Sequence, residues 1–368
     1  MMSAWSEAEL PPAGTRVVVG LSGGVDSAVA ALRLKERGCE VFGVTTRNFC
    51  LDDIPGGDRL DEHSCCSQEA VAAARELASD LGFPHQVLDL APLFAREVID
   101  DFVREYGAGR TPNPCVRCNR FVRFPSLLDH ARRLGASRVA TGHYLRLVRH
   151  PRSGWHLARA IDQAKDQSYY LHGLSPEILA SCVFPLGRSS KQEVREEARR
   201  HGLACADAPE SQEICFVPGG DRSWLTGEGK GPGEIVDSTG RVVGRHRGLP
   251  HYTVGQRRGL GLGGASPHYV TRIEAEENRI RIGGEDELLR RVLRCDRSWL
   301  RDPGEGADGL VARTRSRHAG RAVERIEFEG DRLTVILRDP DRAPAPGQSV
   351  VLYRDDVVVG GGRLQETA

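Results

Sequence analysis

The 368-residue chain is predicted to be an α/β protein with a parallel sheet, followed by a small β-rich domain and a C-terminal β-barrel. Three observations predict it. Strand-like runs alternate with helical periodicity through the first half, the pattern of an α/β unit with a parallel sheet. Glycine becomes dense and strands short after about residue 206. Residues 285–368 then give short alternating runs broken by turns such as Glu329-Gly330-Asp331 and Ala345-Pro346-Gly347, the signature of an all-β barrel. The expected domains are 1–206, 207–284 and 285–368.

Val17-Val18-Val19-Gly20-Leu21 is the first strand, and apolar residues at helical spacing predict a helix over 25–37, ended by Gly38. A strand is expected over 40–46, a helix over 68–81 and a strand over 85–90. Helices over 93–106 and 121–134 and a strand over 138–141 complete the alternation. Residues 149–154 read as a polar loop.

Lys plus Arg and Asp plus Glu both number 51, apolar residues make up 39% and charged residues 28%, as in a soluble globular protein. The balance excludes a basic nucleic-acid protein by overall charge, but not a local basic face. Arginine is in fact clustered. Residues 106–128, 238–273 and 309–323 carry four, six and four arginines and no acid. Backbone contacts dominate nucleic-acid affinity, so these tracts predict a phosphate-tracking surface. No apolar run approaches the roughly 20 residues that span a bilayer. The polar start lacks a secretion signal, so cytoplasm is the expected compartment and no membrane partner is expected. Ten cysteines in that setting indicate thiol or metal chemistry. Cys39, Cys182, Cys205 and Cys295 are expected to be small core residues, whereas Cys65-Cys66 and Cys115-x-x-Cys118 stand out as groups.

The sharpest motif is a strand, then Ser22-Gly23-Gly24-Val25-Asp26-Ser27, then a helix. Glycines let the backbone approach an anion closely, and a helix start offers unpaired N–H groups and a positive dipole end. The loop holds no lysine, so it is not a Walker A loop, and it suits a pyrophosphate that leaves as a unit. It resembles the signature of the ATP pyrophosphatase (PP-loop) superfamily, whose members split ATP between the α- and β-phosphates. That resemblance implies a Rossmann-like first domain.

Further motifs narrow the resemblance. They are Gly109-Arg110-Thr111-Pro112-Asn113-Pro114-Cys115-Val116-Arg117-Cys118-Asn119-Arg120, Ala140-Thr141-Gly142-His143-Tyr144, Lys165-Asp166-Gln167-Ser168-Tyr169, Glu210-Ser211-Gln212-Glu213-Ile214-Cys215-Phe216 and Tyr252-Thr253-Val254-Gly255-Gln256-Arg257-Arg258-Gly259-Leu260. Together they resemble the tRNA-specific 2-thiouridylase (MnmA/TrmU) family from Val17 to about Gly362. The resemblance implies ATP-dependent 2-thiolation of the wobble uridine of tRNA, with ATP and Mg2+. The base oxygen is adenylated, pyrophosphate leaves, and a protein-bound sulfur replaces AMP. Carbonyl oxygen is a poor leaving group until it becomes a phosphate ester, and cysteine can carry the incoming sulfur as a persulfide.

By position, the resemblance assigns Gly20, Leu21, Ser22, Gly23, Gly24, Val25, Asp26 and Ser27 to the ATP phosphates. It places Gly142 beside the nucleotide and Thr46 where the family usually has a Met near the adenine. Cys118 matches the nucleophile and Cys215 the persulfide carrier. Asn113, Pro114 and Cys115 match the segment facing the target base. His143, Lys165, Asp166, Gln167, Arg313, Thr314 and Gln348 match tRNA-contacting positions. Many family members have Asp where this chain has Cys115, so the site offers three thiols.

Three thiolates with an open position can hold a [4Fe-4S] cluster, so Cys115, Cys118 and Cys215 are candidate cluster ligands as well as candidate catalytic residues. The competing mechanism is a Cys215 persulfide attacked by Cys118. A third reading is a structural zinc half-site completed by Cys65 or Cys66. The expected partners are tRNA and an upstream sulfur donor, a cysteine desulfurase or a sulfur-relay protein, and a monomer is expected. Residues 206–218 are expected to move, because Cys215 must reach both donor and base. The alternatives are an amide-forming PP-loop ligase of the GMP or NAD synthetase type and a non-catalytic tRNA-binding protein. The first would not need paired thiols, and the second would not need an intact phosphate loop.

Overall fold

The computed structural model describes residues 5–49, 68–209, 214–217, 231–263, 267–301 and 306–368. They fall into two units. One comprises Met1–Val98, Cys115–Gly220 and Asp356–Val358, the other Ile99–Pro114, Asp221–Asp355 and Val359–Ala368.

The first unit is built on a five-stranded parallel sheet in the order His85–Asp89, Glu40–Arg47, Arg16–Gly20, Arg138–Thr141, Cys182–Val183. Val17, Val18 and Val19 are fully buried. Val17 and Val19 pack with the helix Val25–Glu36, and Val18 packs with Leu127, Leu128 and Ala131 of the helix Phe124–Arg133. A strand covered on both faces reads as a continuous apolar run, which is why it was legible. The chain steps outward from Arg16–Gly20 on one side and returns to pair on its other side. Such a reversal leaves a crevice beyond the carboxyl ends of the strands, where open α/β sheets bind ligands.

The helix Lys191–Arg200 and the edge strand Cys182–Val183 went unassigned in the sequence. The helix carries a local signal, a capping box in which Ser190 Oγ accepts from Glu193 N (3.2 Å) and Glu193 Oε2 from Ser190 N (2.7 Å). Arg33 fixes it against Val25–Glu36, donating to Glu197 (2.6 Å), Pro185 O (2.8 Å) and Ser189 Oγ (2.8 Å). Residues 149–154 close a hairpin between Leu145–His150 and Gly154–Arg159.

Two expected helices are longer or more broken than anticipated. The expected helix over 93–106 is Ala91–Phe94, a π-helical turn Ala95–Ile99, and Asp100–Gly107. The expected helix over 121–134 begins earlier, at Pro114–Cys118, widens into a π-helical turn Asn119–Arg123 and continues as Phe124–Arg133. Pro114 is tolerated in a first turn. Pro125 cannot donate to a preceding turn and crowds the carbonyl four residues back, and the wide turn just before it accommodates that conflict.

The second unit contains a four-stranded sheet in the order Val242–His246, Gly233–Val236, Arg279–Gly283, Tyr269–Glu274. It also contains a six-stranded barrel closed by pairing of Val357–Thr367 with Ser349–Arg354. The helix Asp100–Gly107 belongs to this unit through an ion cluster. Asp101 and Glu105 are each 3% exposed. Arg110 donates to both Glu105 oxygens (2.6 and 2.8 Å), and Arg363 reaches Glu105 (2.7 Å) and Asp101 (3.2 Å). Burial alone would raise the Glu105 carboxyl. The Arg110 hydrogen bond and the charges of Arg363, Arg110 and Arg104 outweigh it and hold the pKa below the ordinary value.

Removing one member of a buried pair leaves the other charge uncompensated. Glu105→Ala is expected to destabilise the second unit by about 3 kcal/mol, the low end for such a break because Arg110 still reaches solvent. A depressed carboxyl stabilises above its unfolded pKa of about 4.3 and loses that contribution as pH falls through the folded value. Denaturant unfolding of wild type should therefore weaken in that acid window more than unfolding of Glu105→Gln. Equal acid slopes would contradict the assignment.

Candidate functional site

The loop from Gly20 into the helix Val25–Glu36 closes on Ser27. Its hydroxyl accepts from Ser22 N (3.1 Å), lies 3.2 Å from Ser22 Oγ and donates to Gly24 O (2.9 Å). Gly23 has φ +75°, and a Cβ there would lie 2.7 Å from Ala70 O. A Cβ on Gly142 would lie 2.6 Å from the Asp26 backbone. Glycine is thus needed at one position for conformation and at both for close approach.

Asp26 is held from two distant places. Lys191 Nζ lies 2.7 and 2.8 Å from its two oxygens, and Tyr144 Oη donates to Oδ1 at 2.8 Å. The loop without a lysine therefore has one beside it, supplied by the first turn of Lys191–Arg200. Sequence reasoning missed Lys191, although the capping box placed it at a helix start.

A pocket with a cavity volume of about 180 Å3 opens at the strand ends. Gly20, Leu21, Ser22, Asp26 and Ser27 line one side, with Val44 and Thr46 from the neighbouring strand. Thr141, Gly142, His143 and Gln167 line another, and Arg123 and Leu127 complete it. The structure thus brings together most of the residues expected at the nucleotide, and adds His143 and Gln167, expected at tRNA. Val44, Thr141, Arg123 and Leu127 were not anticipated. Arg123 and Leu127 come from the helical run that carries Cys118. His143 Nδ1 lies 2.8 Å from Thr141 Oγ1. Burial, then the Arg123 charge, pushes its pKa down to about 3. Gln167 Oε1 accepts from Tyr144 N at 2.9 Å.

Asp166 is 8% exposed and turned inward. It accepts from Ala160 N (3.2 Å), Ser168 N (3.2 Å) and Ser168 Oγ (2.9 Å), while Lys165 beside it is half-buried. In the second unit, Arg313 is 5% exposed, donates to His318 O (2.7 Å) and to Ser316 O, and lies over the Tyr353 ring. Thr314 Oγ1 donates to the buried Asp341 (2.6 Å). The Gln348 amide donates to Thr111 O (2.9 Å) and Pro112 O (3.2 Å), which immediately precede Asn113 and Pro114. The six arginines of 238–273 are all exposed.

Cys115 is exposed, Cys118 is 7% exposed, and Cys215 is half-buried. Cys215 sits in a turn closed by Val217 N donating to Ile214 O (2.9 Å), and the next residue, Phe216, is buried edge-on against Phe94. Among the described residues no three Cys, His, Asp or Glu side chains are gathered as metal ligands. Cys118 faces a packed interior, whereas Cys115 faces solvent. Cys65 and Cys66, residues 210–213 and residue 218 lie outside the described residues. Cys39, Cys182 and Cys295 are buried, as expected, and Cys205 is partly so; burial pushes these four thiols up.

Three family models match successive parts of the chain. They are described as a tRNA methyl transferase HUP domain (residues 15–219), a tRNA methyl transferase PRC-barrel domain (226–284) and an aminomethyltransferase beta-barrel domain (291–364). A tRNA-specific 2-thiouridylase MnmA from Acidithiobacillus ferrooxidans is 43% identical over 96% of this chain and 99% of its own. One from Chloroflexus aurantiacus is 48% identical over 94% of this chain and 97% of its own. Among solved structures, a 4-thiouridine synthetase–RNA complex with bound ATP aligns at 19% identity and TM-score 0.36, covering 56% of this chain and 46% of that one. An NMN synthetase from Francisella tularensis aligns at 19% identity and TM-score 0.33, covering 54% and 67%.

The environment of His143 sets its protonation. An imidazole with a pKa near 3 is neutral throughout about pH 5 to 8, the range in which an ordinary histidine changes charge. The NMR shifts of His143 should stay flat across that range. A midpoint near the ordinary value would contradict the burial described.

Proposed function

The chain belongs to the family of tRNA-specific 2-thiouridylases, and on that premise we propose that it converts the wobble uridine of tRNA to 2-thiouridine through an adenylated base and a cysteine persulfide. It is a tRNA sulfurtransferase built on a PP-loop domain. The observation that carries the finer reading is the run Pro114–Arg133, which bears Cys118 and also lines the pocket with Arg123 and Leu127. A thiol and a nucleotide pocket on one rigid run suit two successive reactions at one atom.

ATP is expected in the pocket. The helix start and the Ser22 and Ser27 hydroxyls face its phosphates, where a positive dipole end favours anions. Among the described lining residues Asp26 is the carboxylate, and it would hold Mg2+, which takes one or two carboxylates plus substrate phosphates. Bound there, Mg2+ would neutralise phosphate charge. Lys191 and Tyr144 fix the Asp26 carboxylate. In the first step the base loses its N3 proton to solvent as its oxygen attacks the α-phosphorus, the bond to the β-phosphate breaks, and pyrophosphate leaves with the electron pair. In the second, Cys118 attacks the Cys215 persulfide and releases hydrosulfide as a Cys118–Cys215 disulfide forms. Hydrosulfide adds at carbon 2, the carbon–oxygen bond breaks, and AMP departs. An external dithiol reduces the disulfide.

The working frame is the division 1–206, 207–284 and 285–368. Asn113, Pro114, Cys115, His143, Lys165, Asp166, Gln167, Arg313, Thr314 and Gln348 are the proposed tRNA-side residues. The exposed arginines of 238–273 support a phosphate-tracking role. The protein is proposed to act as a cytoplasmic monomer that receives sulfur from a cysteine desulfurase or relay protein. No helix among the described residues is long and apolar enough to cross a membrane.

Serine variants separate the steps. Cys118→Ser and Cys215→Ser should each abolish 2-thiouridine in nucleoside mass spectrometry yet keep tRNA-dependent pyrophosphate release. Cys115→Ser should retain thiolation, whereas its loss together with stoichiometric iron in protein purified without oxygen would favour the cluster. Pyrophosphate release driven by a nucleotide acid and not by tRNA would return the chain to the amide-forming ligases.

A further inference from the structure

We propose that Arg123 is a catalytic residue of the adenylation step, holding the phosphoryl group that is transferred to the base and that later departs as AMP. The proposal rests on the adenylation reading above. Three observations carry it.

The first is charge. A triphosphate brings several negative charges, and the phosphate loop offers N–H groups and hydroxyls but no cation. Lys191 is paired with both oxygens of Asp26 and is not part of the pocket lining. Among the described lining residues the basic side chains are Arg123 and His143. His143 is neutral at physiological pH. Arg123 is therefore the permanent cation of the pocket wall.

The second is placement. Arg123 ends the π-helical turn Asn119–Arg123 and Cys118 immediately precedes it. Single π turns recur at functional sites because they redirect side chains. Here the turn is pinned through Asn119, which is 3% exposed. Its backbone oxygen accepts from Phe124 N, its Oδ1 from Arg123 Nη1 (3.4 Å), and its Nδ2 donates to Tyr170 O (3.4 Å).

The third is chemistry. The pyrophosphate portion leaves after the first step, so the loop that holds it cannot be what retains the adenylate. The phosphoryl group left behind needs a second holder. A guanidinium suits it, since it stays charged and can give two parallel hydrogen bonds to phosphate oxygens. It would stabilise the charge that develops as the base oxygen attacks phosphorus and the bond to pyrophosphate breaks. It would hold the same phosphate as the carbon–oxygen bond breaks and AMP takes the electron pair. Sharing one helical run with Cys118 keeps that holder in register with the sulfur chemistry.

The test uses the full chain with tRNA and ATP, and reads pyrophosphate release and 2-thiouridine formation for wild type, Arg123→Ala, Arg123→Gln and Arg123→Lys. Losing a charge-stabilising donor costs about 10²–10³ in turnover. Arg123→Ala and Arg123→Gln should lose that much kcat in tRNA-dependent pyrophosphate release, with KM for ATP changed less than about threefold, since a contact made in the transition state lowers kcat. Arg123→Lys should recover part of the rate. The Gln variant removes the charge but keeps a polar side chain with an N–H2 donor, so a folding defect in the Ala variant does not decide the outcome. Wild-type kcat in the Gln variant overturns the proposal. So does a loss that saturating ATP restores, which would mark a binding residue only. If wild type itself releases no pyrophosphate with tRNA, the adenylation reading fails and the proposal falls with it.

Discussion

The ion pair between Lys191 and Asp26 is the constraint on which the pocket depends. It joins the first turn of the helix Val25–Glu36 to a residue 165 positions later, at 2.7 Å. An acid at a helix N-terminus is favoured by the dipole, but at this loop it would also repel a phosphate. Lys191 removes that conflict from outside the loop. Tyr144 adds a hydrogen bond from the Arg138–Thr141 side of the sheet. Two of the strand ends that border the crevice are thus tied to one carboxylate. Arg33, through Glu197, braces the same helix pair further along.

The second constraint is the helical run from Pro114 to Arg133. A uniform α-helix would have to carry Pro125 in its interior, at a cost of roughly 3 kcal/mol. A π turn just before it takes up the conflict and at the same time determines where Asn119 and Arg123 point. Cys118 stays buried at the start of that turn, and Leu127 continues into the core beneath the sheet. Packing, backbone strain and site geometry are one problem in this segment. In the second unit the Gln348 amide and the backbone of Pro346 grip Thr111 and Pro112, so the chain entering the run is itself held.

What could be read in the sequence was what is local. Ser22 to Ser27 is contiguous, its glycines have no other use, and its strand is a buried valine run, so the loop and the parallel sheet were legible. The barrel was legible because turn residues punctuate its strands. Lys191 was not, because its role is a contact across the fold and its own neighbourhood reads as an ordinary charged helix. Arg123 was hidden in a tract of arginines, and only the pocket separates it from Arg117, which donates to the Glu97 carbonyl. Arg313 and Thr314 match tRNA-contacting positions only through the resemblance, and the sequence does not reveal that Asp341 and a carbonyl-lined loop receive these nearly buried side chains. The resemblance, not the spacing, set the three thiols together, and the sequence does not reveal that one is exposed, one packed and one held in a separate turn.

The claim that binds these parts together is that the pocket turns the base oxygen into a leaving group. Isotope transfer tests it directly. A tRNA carrying 18O at position 2 of the wobble uridine is thiolated by the wild-type chain, and the AMP is analysed by mass spectrometry. The account predicts one 18O atom in AMP for each 2-thiouridine formed. Unlabelled AMP alongside full thiolation would mean that the base is never adenylated and would contradict it.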